Sequence, residues 1–282
     1  GEPKWQETID VCDKVIGYGK LQIEPDYFTN FKVDNTGSRE NIFVILYDKV
    51  YTSQDWWHVF RFHQLTLNSL SQETFGILDF CWNGFAATES FYEKYDPADI
   101  RRQQWLEGPQ YDKAGNPLLM TDGTQLNYTP HITSLFDASN PAKSNEGVRS
   151  VKYEYADGLQ GECMDNDYVV YRYADILMMK GEALVRQGHP ELAVPLFNEV
   201  RSRTGLPDYT ASDLTLDEIY DERGREFAWE GLRRQDMIRF GKWCEPRDLK
   251  PNESPEYTKL YPIPTNIRKT NVNLKQNSGY PD

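Results

Sequence analysis

The sequence predicts a mainly α-helical protein with a minor β component and long irregular loops. Three observations predict it. After Tyr168, apolar residues recur with helical spacing: Ala174, Leu177, Met178, Gly181 and Leu184, then Ala193, Leu196, Phe197 and Val200. From Thr215, a capped run places acidic residues first and basic residues last, as the helix dipole favours. Residues 105–167, by contrast, are mostly Gly, Asn, Pro, Asp and Tyr, and so long an irregular stretch in a compact protein is usually functional or disordered.

Taken in order, residues 4–17 read as a helix with Trp5, Ile9, Cys12, Val15 and Ile16 on its apolar face and Gly17-Tyr18-Gly19 at its end. Leu21 to Phe31 is irregular around Pro25. Glu40 to Tyr47, rich in β-branched residues, reads as a buried strand. Tyr51 to His58 is polar and aromatic, a loop. Thr88 to Tyr95 is a short helix before a turn at Asp96–Arg101, and Val151 to Tyr155 a short strand. Helices are expected at about 171–187 and 191–203, with Gly188-His189-Pro190 between them and Pro190 suited to a first helical position. This is a single helical hairpin of tetratricopeptide type.

The last long helix is expected at 216–234. Thr215 should cap the amide of Glu218, and Glu218 should reach back to Thr215. Glu222, Glu226 and Glu230, spaced by four, lie along one face and need the nearby Arg223, Arg225, Arg233 and Arg234 as partners. A buried ion-pair network fits better than a metal or acid–base site, because a di-metal helical site wants Glu-x-x-His pairs and this run has no His. Beyond Gly241 the tail is Pro-rich and extended. The change of character at Tyr168 divides the chain into a loop-rich region, 1–167, expected to hold the ligand site, and a helical region with its tail, 168–282.

Composition narrows the function. The 282 residues carry a formal net charge of -13, which argues against nucleic acid and against an anionic membrane surface. Aromatics make up 13%, with 7 Trp and 18 Tyr, more than so polar a chain can bury, so some rings are expected to face solvent or a ligand. Cys12, Cys81, Cys163 and Cys244 are widely spaced with no metal-ligand pattern, and buried free thiols fit better than a disulfide. His58, His63, His131 and His189 form no zinc signature. Asp165, Asn166 and Asp167 offer oxygen ligands for calcium, but the glycine and distal Glu of a calcium loop are absent, so a solvated acidic loop is expected and no cofactor. No apolar run approaches the roughly 18 residues of a membrane helix. No signal peptide is visible; the chain begins almost inside a helix, as a fragment or processed form would, with targeting information removed.

Several motifs stand out: Tyr171-Arg172-Tyr173-Ala174-Asp175-Ile176-Leu177, Glu182-Ala183-Leu184, Asn198-Glu199-Val200-Arg201, the Glu/Arg run from Glu222 to Asp236, Leu260-Tyr261-Pro262-Ile263-Pro264 and Leu274 to Tyr280. Together they resemble the SusD/RagB family of nutrient-binding outer-membrane lipoproteins of Bacteroidetes. Asn83-Gly84, Phe91-Tyr92 and Asp96 to Arg101 add weaker likeness. The resemblance is strong over 168–280 and looser over 1–160. It departs at the front: the family's long N-terminal helical half, with its lipidated cysteine, is largely missing, and Cys12 is no lipobox cysteine. The resemblance implies non-catalytic capture of an oligosaccharide or related nutrient at the outer-membrane surface, a lipid anchor not present in this chain, and delivery to a SusC-like, TonB-dependent transporter.

Sugar recognition stacks aromatic faces on apolar C–H faces and meets hydroxyls with planar polar groups. The candidates are Trp56 and Trp57 with Asp55, and Trp82 with Asn83; Tyr51 and Trp105 are weaker. Adjacent rings in an extended segment point opposite ways, so one of the Trp56-Trp57 pair is expected to emerge. Two rival readings are a glycoside hydrolase, for which 44 acidic residues supply carboxylates but nothing places a pair, and a protein-interaction scaffold.

Overall fold

The computed structural model describes residues 2–52, 59–134, 144–161 and 163–281. It is mainly helical, as expected. By contacts the chain divides into two compact units, Gly1–Glu230 and Gly231–Asp282. The region boundary expected at 167/168 lies inside the first unit.

In that unit, helix α1 (Trp5–Ile16) packs on α5 (Tyr173–Arg186), which packs in turn on α6 (Pro190–Arg201). The α5–α6 hairpin turns through Gly188 at φ 89°, and Pro190 stands in the first turn of α6. The two helices approach closely at Gly181, where a Cβ would lie 2.4 Å from the ring of the buried Phe197. Between α1 and α5 run short helices α2 (Phe62–Thr66), α3 (Gln72–Phe75) and α4 (Glu89–Tyr92). Strands β1 (Asn41–Ile45), β2 (Trp105–Leu106), β3 (Gly108–Pro109), β4 (Asn127–Tyr128), β5 (Arg149–Ser150) and β6 (Tyr168–Arg172) pair antiparallel as β1–β6, β2–β5 and β3–β4. An aromatic core of Tyr27, Phe31, Phe60, Phe62 and Tyr153 sits beneath the irregular chain.

Four local expectations are corrected. β1 is not a buried strand: in a two-stranded ribbon only one face is covered, and Phe43 and Ile45 are exposed while Val44 packs inward. Val151 to Tyr155 is irregular, because its amides go to isolated partners such as the Gln104 carbonyl rather than a ladder. The helix expected at 88–95 is one turn, tightening to three-residue bonds at Lys94 and Tyr95. The helix expected at 216–234 breaks into α7 (Leu216–Glu226) and α8 (Arg233–Arg239).

That break has a physical cause. Tyr95 donates to the carbonyl of Arg225 (2.9 Å), Tyr27 to that of Glu226 (2.8 Å), and Lys152 to those of Glu226 and Ala228 (3.2 and 2.7 Å). Side chains thus satisfy the carbonyls that a further helical turn would need. Trp229 at φ 65° and Gly231 at φ 78° stand in the left-handed region, which no α-helix continues through. At the other end of α7, Thr215 caps the Glu218 amide at 3.2 Å. The reciprocal bond does not form: the Thr215 amide goes to the Asp213 carbonyl and the Glu218 carboxylate to Tyr209.

The three glutamates form a buried ion-pair network as expected, but with a partly different set of partners: Arg225 pairs with Glu222, Arg223 goes to Asp175, and Arg101, Arg172, Arg203 and Lys152 join from elsewhere in the chain. Arg101 reaches Asp99, Glu222 and Glu226 at 2.8, 2.8 and 3.0 Å. Arg172 reaches Glu226 and Glu230 at 2.9 and 2.8 Å and also pairs with Glu40. Arg203 joins Glu40 to Glu226, and Lys152 binds Glu230. Burial alone would raise the Glu222 carboxyl, but Arg101 and Arg225 outweigh it and hold it at about 2. Glu226 is held far below the carboxylate range in the same way, against its burial, by Arg203, Arg172 and Arg101. Burial draws Lys152 down to about 8.

In the second unit, the Arg234 guanidinium lies over Trp243 and Tyr261 (4.7 and 4.0 Å) and donates to the carbonyls of Thr258 and Lys259. Gln276 pairs with both backbone groups of Ile263, and Asn277 donates to the Tyr261 carbonyl. The extended tail is therefore pinned by its own amide side chains. Helix α9 (Thr265–Thr270) interrupts it. All four cysteines are free thiols, with Cys244 partly exposed and the others buried. Among the described residues no helix is long and apolar enough to cross a membrane.

Candidate functional site

The geometry singles out the loop Cys81–Phe85. Helix α2 ends with backbone acceptors that the loop uses one after another. The Trp82 amide donates to the Gln64 carbonyl (2.8 Å), Asn83 to Leu67 (2.8 Å), and Gly84 and Phe85 both to Leu65 (3.0 and 2.8 Å). Gly84 is required there, since a Cβ would lie 2.9 Å from the Leu65 oxygen. Buried Cys81 roots the loop in the aromatic core. Outward from this tether stand Phe80, Trp82 and Phe85, all exposed. The Arg61 guanidinium lies 5.3 Å from the Trp82 ring centre, and Phe85 meets Trp229 edge-on at 5.9 Å. The tethered loop thus presents exposed aromatic rings, with the Arg61 guanidinium over the Trp82 ring.

Of the residues expected from sequence, Trp82 and Asn83 lie together on this loop. Both ends of the Asn83 amide are engaged, by Arg149 at Oδ1 and by the Ser144 carbonyl at Nδ2. Tyr51 sits in a separate turn, 81% exposed, its amide bonded to Asp48. Asp55, Trp56 and Trp57 lie outside the described residues. Trp105 is buried against Phe91 and Tyr95, a core ring. Sequence reasoning did not name Arg61, Phe80 or Phe85; three aromatic rings within six residues, Phe80, Trp82 and Phe85, were the available signal.

The acidic stretch is a brace rather than a solvated loop. Asp165 accepts from Lys49, Asn166 is buried and donates to the carbonyls of Phe31 and Glu154, and buried Asp167 accepts from the Tyr47 amide. Among the described residues no group of three or more His, Cys, Asp or Glu side chains is placed to hold a metal. Among the described residues, Glu222 and Glu226 are committed to guanidinium partners that hold their carboxyls below the usual carboxylate range.

A profile of the SusD family matches residues 12–280. The chain belongs to the SusD family. Among SusD-family relatives, the starch-binding protein SusD of Bacteroides thetaiotaomicron is 33% identical over 124 residues, 41% of this chain and 22% of that protein. SusD-like protein P2 of Formosa agariphila is 24% identical over 92% of this chain and 52% of its own length. Among solved structures, surface glycan-binding protein A from Bacteroides thetaiotaomicron, also solved in complex with laminarihexaose, superposes with a TM-score of 0.73 at 24% identity, covering 97% of this chain and 59% of that one. The likeness to these solved structures is one of fold. The chain spans about half the length of the curated SusD relative that it matches nearly end to end.

Proposed function

We propose that this protein binds an oligosaccharide at the Cys81–Phe85 surface without cleaving it, at the outer face of the outer membrane, and passes it to a SusC-like, TonB-dependent transporter. The observation that carries the reading is the Trp82 ring, exposed beside Arg61 on a loop whose every amide from Trp82 to Phe85 is tethered. Stacking against a sugar needs a ring face fixed before the ligand arrives, since ordering it on binding would cost affinity. Family membership and relatives named for starch and glycan binding support the same ligand class. Trp56 and Trp57 with Asp55, and Tyr51, stay as further candidate sugar contacts on sequence grounds alone.

Family relatives named for binding support the non-catalytic reading, and chemistry removes the glutamate cluster as a candidate acid pair. A hydrolase needs two carboxyl groups across the bond, one of them protonated at working pH. Glu222 and Glu226 are ionised and fully paired. The test is calorimetric titration with maltoheptaose and laminarihexaose, with an assay for new reducing ends alongside. Saturable binding with no new ends is expected, and Trp82→Ala should weaken it by about 1–3 kcal/mol, a scale borrowed from stacking on nucleobases. New reducing ends would make the protein a hydrolase; equal affinity in the Trp82, Trp56 and Trp57 alanine variants would move the site off these rings.

A further inference from the structure

The loop that presents Trp82 has one position that its backbone tethers do not explain. Asn83 stands at φ 56°, in the left-handed region, which a residue other than glycine occupies at a cost and Asn least among them. Its side chain is held at both ends. Arg149 donates to Oδ1 from Nε (3.1 Å) and Nη2 (2.8 Å), a two-pronged grip, while Nδ2 donates to the Ser144 carbonyl at 3.2 Å.

Arg149 itself is fixed. It is buried in β5, its guanidinium lies 5.0 Å from the Tyr128 ring centre, and its remaining donors reach the carbonyls of Glu146, Gly147 and Ser144 at 2.7, 2.6 and 3.1 Å. Trp82 therefore sits between its own tether to Gln64 and a neighbour clamped from a different strand. A two-donor contact fixes orientation as well as distance. The grip engages Oδ1 with two guanidinium donors and Nδ2 with the Ser144 carbonyl, so protein partners set the plane of the amide.

We infer that Arg149 and Asn83 are positioning residues that set the orientation of the Trp82 ring, and that they act on a bound oligosaccharide through that ring rather than by touching the sugar. This deepens the reading of the loop as a glycan surface and rests on it. Asn83 thereby moves from the direct contact expected from sequence to the support beneath one.

The experiment uses the full chain labelled with 5-fluorotryptophan, the Trp82 line being assigned by its loss in Trp82→Phe. Three variants divide the roles. Asn83→Gly keeps the left-handed backbone and removes the clamp. Asn83→Asp keeps an acceptor for Arg149. Arg149→Met removes the grip at its source, and Asn83→Gly stands in for it should that variant fail to fold. The expected result is a broadened or split Trp82 fluorine line in Asn83→Gly, with its melting temperature near that of the parent and about tenfold weaker binding of maltoheptaose or laminarihexaose. Asn83→Asp should restore a single line and affinity within about threefold of the parent. A folded Asn83→Gly protein with an unchanged line overturns the inference, as does a disturbed line with unchanged affinity. If the parent binds neither sugar, the glycan reading fails by itself, while the fluorine line still decides whether the clamp orients the ring.

Discussion

Glu226 receives three guanidinium groups on two oxygens: Arg172 and Arg203 share Oε1, and Arg101 takes Oε2. Removing such a carboxylate strands buried cations. Glu226→Ala should therefore cost about 3–5 kcal/mol in urea unfolding, the range for breaking a buried pair, while sugar affinity of the folded fraction changes little. A stable Glu226→Ala protein that no longer binds sugar would reverse the structural assignment. His63 offers a pH readout of a different kind. It is fully buried, and burial lowers its pKa from 6.5 to about 4, with Asp79 and the Gly161 backbone pulling weakly the other way and Arg61 adding to the drop. The folded state thus disfavours the proton. Stability is intact above about pH 6.5, falls as the unfolded chain takes up the proton, and levels below about pH 4, a loss of about 3 kcal/mol at about 1.4 kcal/mol per pH unit. Denaturant titrations between pH 7 and 4 should show that slope in the parent and a flatter one in His63→Leu; equal slopes would refute it.

At the scale of elements, the α5–α6 hairpin depends on Gly181. Alanine there would gain about 1 kcal/mol of helix propensity, but its methyl would drive into Phe197, and overpacking costs about 1–3 kcal/mol. Gly181→Ala should lower the unfolding midpoint; a raised midpoint would show that the helices separate freely. This hairpin was legible because its periodicity and its Gly-Pro punctuation point the same way, and the structure places α5 and α6 within two residues of the expected limits. The end of α7 was not legible. Nothing local marks Phe227 as a stop, since the groups that end the helix come from Tyr27, Tyr95 and Lys152, far away in sequence. The aromatic loop was half legible: Trp82 could be named from composition, but its tether to α2 and the Arg149 grip join residues that no pattern links. Trp105 misled for the converse reason, because a ring in an irregular segment can belong to a core built by distant partners.

At the scale of the molecule, charge is sorted by depth. Among the described residues the buried charges nearly balance, seven cations against nine carboxylates, so most of the net charge of -13 resides on the outside. Salt screens exposed charges within about 10 Å at 0.1 M but reaches buried pairs far less. Raising sodium chloride from 10 mM to 0.5 M should therefore raise the melting temperature modestly by relieving surface repulsion. A fall would mean that exposed ion pairs carry the stability.

Arg172 also has a bearing on time. It joins Glu40, 132 residues before it, to Glu226, 54 residues after it, at the seam between β6 and α5. Contacts that close such long loops come late in folding, because the chain entropy must be lost before they contribute. Bonds absent from the transition state govern how fast the native chain comes apart and barely touch how fast it assembles. Glu40→Gln should then speed unfolding in stopped-flow denaturant jumps by on the order of tenfold and leave refolding within about twofold. Where a protease cleaves the opened chain faster than it recloses, that slow escape from the folded state would set its lifetime more than its equilibrium stability does.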